Sequence, residues 1–228
     1  MKRIVTTLAL VALCAAPALA ANPLRISQIY GGGGASTGTP TYTVDYVEIY
    51  NSGNVAVNIG AWAIEYGSNT GNWGSSALNQ FTFPVGTTIQ PCQYMLVSLG
   101  TPGTVGGPLP VTPDFTGTLT MSATSGKVAL FNALNNNLAC GSELVGTLVD
   151  KVSYGTGNCP ENTNVGLLSN AQGAVRNNNG NTDTDNNLSD FTIVTNPVPR
   201  NSQSPRNPAC LATPTKVSTW GSVKAIYR

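Results

Sequence analysis

The sequence predicts an all-β protein, a sandwich or a barrel, and two observations carry that prediction. Apolar residues recur at every second position over short runs, which is the period of a strand with one buried face. Glycine and proline, both costly inside a helix, number 25 and 15 in the 228 residues and interrupt nearly every stretch long enough for one.

The first predicted strand, Leu24 to Tyr30, sets Leu24, Ile26 and Tyr30 on one side. Gly31 to Gly34 then open a loop running to Pro40. That run lacks the Lys-Ser/Thr of a phosphate loop and the spacing of a dinucleotide fingerprint, so it reads as a flexible connection. Tyr42 to Tyr50 is the second strand, followed by a turn at Asn51-Ser52-Gly53-Asn54. Asp45 and Glu48, three apart on that strand, face opposite ways and so are no catalytic pair. Val55, Val57 and Ile59 alternate, and Trp62, Ile64 and Tyr66 continue past Gly60. Further strands are expected at Gln80–Phe83, Tyr94–Ser98, Thr118–Ser122, Val128–Asn132 and Leu148–Tyr154, with Phe191–Val194 as a last edge strand. Val47, Ile49, Val57, Trp62, Leu96, Val128 and Val152 are predicted to point inward. Asn177 to Asn187 is polar and aperiodic, a loop. The proline-rich stretch from Asn196 to Pro214 should lie extended on the domain and then become a linker.

Both ends carry signals of their own. Met1-Lys2-Arg3, the apolar run Ile4 to Cys14 and Ala18-Leu19-Ala20 have the form of a signal peptide. The expected layout is a signal at 1–20, a domain at 21–205, and a linker with a short tail at 206–228. In that tail Trp220, Val223 and Tyr227 share a helical face, with Ser218 or Thr219 able to cap it; a sorting or docking element is one reading, and a short helix packed on the domain or a frayed end is the other. Without Lys2 and Arg3 the chain holds nine basic and ten acidic side chains. That balance opposes nucleic-acid binding by bulk charge. No apolar stretch beyond the signal is long enough to span a bilayer.

An exported chain meets oxidising conditions, and its cysteines beyond the signal form an even set: Cys92, Cys140, Cys159 and Cys210. Four cysteines allow three pairings. Cys140–Cys159 is the expected one, enclosing 18 residues in a hairpin-like excursion, and it leaves Cys92–Cys210 to tie the proline-rich segment to the domain. A zinc site is disfavoured, since the chain has no Cys-x-x-Cys pair and no His.

The run DYVEIYNSGNVAVNIGAWAIEY, Asp45 to Tyr66, resembles the lamin-tail domain. Further stretches match bacterial secreted members of that family in order: LRISQIYGGGG from Leu24, FPVGTTIQPCQYMLV from Phe83, MSATSGKVALFN from Met121, VDKVSYGTGNC from Val149, TDTDNNLSDF from Thr182 and PRNSQSP from Pro199. The resemblance covers roughly residues 24 to 205 and implies an immunoglobulin-like β-sandwich. Gly180-Asn181 stands where the family pattern has Gly-Cys, which implies a rearranged or missing family disulfide.

For function, Asp183, Asp185 and Asn187 offer hard oxygen ligands at alternating positions, with Asp190 following, as in the first half of an EF-hand loop, and make Ca²⁺ the candidate ion. The glycine and the final glutamate of such a loop are absent, so a series of Asx turns is the competing account. With no His and scattered carboxylates, no nucleophile–base constellation can be assembled. The resemblance implies an accessory module, of a kind often attached in bacteria to secreted nucleases or phosphoesterases. The expected function is therefore a secreted or cell-surface, non-enzymatic binding or anchoring module whose partner is a protein, a glycan or another envelope component. Two alternatives stand beside it: a DNA-binding accessory module using Arg176, Arg200 and Arg206, and a metal-dependent hydrolase using the Asp-rich loop.

Overall fold

The computed structural model describes residues 22–210; the predicted signal peptide and the C-terminal tail lie outside the described residues. Among the described residues are twelve strands, β1 (Leu24–Tyr30), β2 (Asp45–Asn51), β3 (Val57–Asn58), β4 (Ala63–Gly67), β5 (Gln80–Thr82), β6 (Thr88–Ile89), β7 (Tyr94–Leu99), β8 (Phe115–Gly117), β9 (Gly126–Phe131), β10 (Leu148–Tyr154), β11 (Gln172–Arg176) and β12 (Phe191–Thr195), with one short α-helix, Asn187–Asp190, and two 3-10 turns, Ala77–Asn79 and Asn178–Gly180. They form a six-stranded sheet in the order β12-β11-β1-β2-β7-β8, a four-stranded sheet β10-β9-β4-β5 and a small pair β3-β6. Every pairing is antiparallel except β7 with β8. Ile26, Val47, Ile49, Val97 and Leu99 of the larger sheet share one buried cluster with Ile64, Val128, Leu130 and Val152 of the smaller. The two sheets are thus the halves of a sandwich.

Several side chains lie elsewhere than the alternation predicts. Ile26 pairs with Ile49 but Gln28 with Glu48, so Ser27 is an extra residue. This bulge reverses the faces of β1: Ile29 points inward, and Tyr30 joins the outer face with Tyr42, Tyr46 and Leu96. Leu96 is therefore buried outside the sandwich rather than within it, beneath Leu109 and Val111. Trp62 and Val57 are half-buried against the core, and the fully enclosed indole is Trp73. Thr118–Ser122 forms no strand, although Leu119 and Met121 are buried; the nearby strand is β8.

The glycine run is packed rather than flexible. A Cβ on Gly31 would lie 2.4 Å from Ser122 O, and one on Gly33 would lie 2.1 Å from the carbonyl carbon of Val44. The backbone passes so close there that only glycine fits.

The outer face of the larger sheet is crossed by a strap running from Asn196 to Cys210. Tyr42 Oη donates to Pro197 O at 2.6 Å, Gln28 Nε2 to Val198 O at 3.0 Å, and Asn201 Nδ2 to Thr112 O at 2.9 Å. At its centre Arg200 Nη2 meets the wholly buried Glu48 at 2.7 Å, and the guanidinium lies 3.7 Å from the ring centre of Tyr94. The Cys92–Cys210 disulfide closes its far end, with Cα atoms 5.5 Å apart, and a second bond joins Cys140 to Cys159.

Asp45, at the start of β2, binds the glycine run to the segment before β9. Its carboxylate accepts from Gly33 N and from Met121 N, each at 2.8 Å. Burial pushes its pKa up to about 6 against the lowering effect of those two amides. The folded chain therefore holds this proton more tightly than the unfolded one. The stability it contributes is complete below the ordinary Asp value and is lost as pH rises through about 6. Asp45→Asn forfeits an acceptor but escapes that loss. In urea titrations its stability relative to the parent should improve by up to about 3 kcal/mol between pH ~4 and pH ~7.

Candidate functional site

Arg176 ends β11 and is 1% exposed, an unusual position for a guanidinium. Its Nε donates to Ile26 O at 2.8 Å, Nη2 to Asp150 Oδ2 at 2.7 Å, and Nη1 to Thr182 O and Asp183 Oδ1, both at 3.1 Å. Asp190 lies 3.7 Å away, and the Phe191 ring centre 4.5 Å from the guanidinium carbon. Burial works against the charge, but Asp150, Asp183 and Glu161 outweigh it and raise the Arg176 pKa. Glu161 is pushed up to about 8, first by burial and then by the charge of Asp150.

The four residues predicted to hold Ca²⁺ are distributed among different partners. Asp183 pairs with Arg176 and, at 2.9 Å, with Arg25 Nε. Asp190 is buried and accepts from Thr184 N, Thr184 Oγ1 and Asn186 N at 2.9, 2.7 and 3.3 Å. Asn187 is buried beside it: its Oδ1 accepts from Ser153 N and Glu161 N, and its Nδ2 donates to Lys151 O and Glu161 Oε2. Asp185 is exposed, in the left-handed region at φ 54°. Ca²⁺ needs six to eight oxygens around one centre, and these side chains do not share one. Nor do they form the expected series of Asx turns: Asp190 accepts from residues that precede it, Asn187 from the distant Ser153 and Glu161, and Asp183 from two arginines. Three carboxylates do approach one another, Asp150, Glu161 and Asp183, with one oxygen from each within 4.8 Å of the others. Arg176 is the cation among them. A second such trio, Cys140, Glu143 and Cys159, has its two sulfurs joined in the disulfide.

The arginines offered as a DNA contact do not form a basic face. Arg176 is buried and paired with Asp150, Arg200 is paired with Glu48, and Arg206 is exposed. Sequence reasoning missed a different surface, a groove of about 520 Å³ on the outside of the larger sheet, between β11–β12 and the strap. Val175, Val194 and Val198 supply its apolar surface, and Gln28, Asn177, Asn178, Asn179 and Thr192 its polar groups. Asn178 and Asn179 are both left-handed, at φ 54° and 56°, and both exposed. Asn179 O is clamped by Tyr94 Oη at 2.9 Å and Asn207 Nδ2 at 3.3 Å. The signal available in the sequence was the Asn-Asn-Asn-Gly run itself, since Asn and Gly tolerate this conformation best.

Two outcomes follow from the cluster. Arg176→Met leaves Asp150 buried without a counter-charge and should cost about 3–5 kcal/mol in chemical denaturation, whereas a deletion on the exposed rim should cost far less. Millimolar Ca²⁺ should leave the melting temperature unchanged. A shift abolished by both Asp183→Ala and Asp185→Ala would restore the ion, since a ligand stabilises by mass action.

Among curated proteins nothing matches this chain. A crystal structure of a DUF4876 family protein from Bacteroides thetaiotaomicron is similar in fold, with a TM-score of 0.53 and 14% identity, covering 82% of this chain and 74% of that one. The family model for the lamin tail domain matches residues 17–156, which hold the strands β1 to β10. The chain belongs to the lamin tail domain family.

Proposed function

We propose that this protein is a secreted or cell-surface binding module without enzymatic activity, and that the groove beside β11 and β12 is its contact face. The carrying observation is an open groove in which the two charged residues of the described lining, Arg176 and Arg200, are engaged in internal ion pairs and the rest of that lining is neutral. What faces the groove is the pair of exposed amides of Asn178 and Asn179, each both donor and acceptor, over valine side chains; the amides of Gln28 and Asn177 are bonded within the protein. That pattern fits a neutral, hydroxyl-rich chain, and we take an uncharged envelope glycan as the ligand class. Export agrees with the two disulfides. No described helix is long and apolar enough to cross a membrane.

The test uses Asn178→Gly and Asn179→Gly, which keep the left-handed backbone while removing the amides. Retention of the purified protein on neutral envelope polysaccharide should weaken about tenfold or more, from roughly 1 kcal/mol per lost hydrogen bond. The melting temperature should stay unchanged. Equal retention by parent and variants would reject the groove. Retention on DNA that falls steeply with salt would replace this reading by the nucleic-acid one, and phosphodiester turnover abolished by EDTA would replace it by the hydrolase.

A further inference from the structure

The outer face of the smaller sheet holds a second buried cation, one without a counter-charge. Lys127 lies on β9 opposite Ser153 of β10 and Gly67 of β4. The core takes its neighbour Val128, so Lys127 emerges on the outside, beneath the lid formed by Trp73. It is nonetheless 0% exposed. Its stem is confined, since a Cβ on Gly67 would stand 2.6 Å from Lys127 Cε. The amine sits 5.1 Å from the Trp73 ring centre and donates to the side-chain carbonyl Oδ1 of Asn158. Among the described residues no ion pair includes it. A buried ammonium without a carboxylate is costly, and desolvation lowers the Lys127 pKa. Of its charged neighbours, Lys151 lowers it further and Glu143 opposes the shift.

Asn158 is fixed in front of that amine. Its N–H bonds Asn69 O at 2.8 Å, and the next residue, Cys159, is anchored by the disulfide to Cys140. The side-chain amide of Asn158 is reached by one nucleophile, desolvated and held on a strand, while the residue itself opens to solvent. Proximity of this kind turns a slow bimolecular reaction into a unimolecular one.

We propose that Lys127 and Asn158 become joined by an intramolecular isopeptide bond that the folded domain forms by itself. The neutral amine attacks Asn158 Cγ. The Nζ–Cγ bond forms, the Cγ–Nδ2 bond breaks, and one amine proton passes to Nδ2, which departs as ammonia into the solvent. No oxidant, reductant or other reactant enters. The product is a neutral amide, so the reaction removes the unpaired charge from beneath Trp73. It also ties β9 to the loop after β10, across 31 residues of sequence, beside the Cys140–Cys159 bond.

The deciding measurement is a tryptic map of the full-length chain, purified after export, then reduced and alkylated. The expected result is a branched peptide linking the Lys127 and Asn158 segments, lighter by one ammonia than their sum, in most chains, with no cleavage after Lys127. An intact mass alone is insufficient, because succinimide formation at Asn179-Gly180 also loses ammonia. Asn158→Ala changes an exposed residue and should fold, give only linear peptides and melt at a lower temperature; Lys127→Arg should likewise remove the branch. Linear peptides ending at Lys127, together with an unmodified Asn158 peptide, in most parent chains would overturn the proposal.

Discussion

The buried ion pair between Arg176 and Asp150 is the contact on which the sandwich most depends, because it joins its two sheets. Arg176 comes from β11 in the larger sheet and Asp150 from β10 in the smaller. The same carboxylate oxygen of Asp150 also accepts from Ile26 N of β1 at 2.6 Å, and the arginine returns a bond to Ile26 O. One residue of β1 therefore has both backbone groups engaged by a pair of opposite charges. It is a demanding way to close a sandwich, since apolar packing of the same volume is often as stable. What the charges add is register: β1, β10 and β11 can meet at Ile26 in only one alignment.

Neither outer face is left to solvent alone. On the larger sheet the strap lays Arg200 over Tyr94, which itself stacks on Tyr50 with ring centres 4.8 Å apart. Glu48 receives bonds from Ser27 Oγ, from Gln28 Nε2 and from Arg200, so its ionised form is supported from three directions even though burial raises its pKa. On the smaller sheet Trp73 packs edge-on against Phe131, and its Nε1 donates to Glu143 at 2.7 Å. Each cover is pinned by a disulfide at its margin, Cys92–Cys210 for the strap and Cys140–Cys159 for the lid. Covers made of irregular chain bury little apolar area per residue, and cross-links that limit the unfolded chain help to retain them.

The alternation of the sequence made most strands legible, because β2, β7 and β9 each keep apolar side chains toward the core. The failures have particular causes. The extra residue at Ser27 reverses β1, and a bulge has no signature in an apolar pattern. Strand β11, Gln-Gly-Ala-Val-Arg, offers almost no alternation: Gly173 is there because a Cβ would come within 2.7 Å of Ile29 O, and Arg176 because its partners lie far along the chain. Leu96 carries the right side chain on the wrong face, since the cover that buries it, Leu109 and Val111, is a loop. The even cysteine count made two disulfides legible, but it left three pairings open, and the fold is what brings Cys92 to Cys210 and Cys140 to Cys159. The Asp-rich loop was legible as a cluster of oxygens, but its true centre, Arg176, stands outside the loop.

That displacement bears on what family membership conveys. The lamin tail domain match ends at residue 156, at the close of β10. Strands β11 and β12, the left-handed asparagines and the strap all follow it, and these form the groove. The part of the sandwich that matches the family, β1 to β10, supplies Asp150, Glu48 and Tyr94, which anchor the added elements by charge and stacking. On the proposed reading, recognition would lie in what is laid on the scaffold and not in the scaffold. A second lamin tail domain could keep every core residue named here and, with a different segment after β10, present another surface altogether.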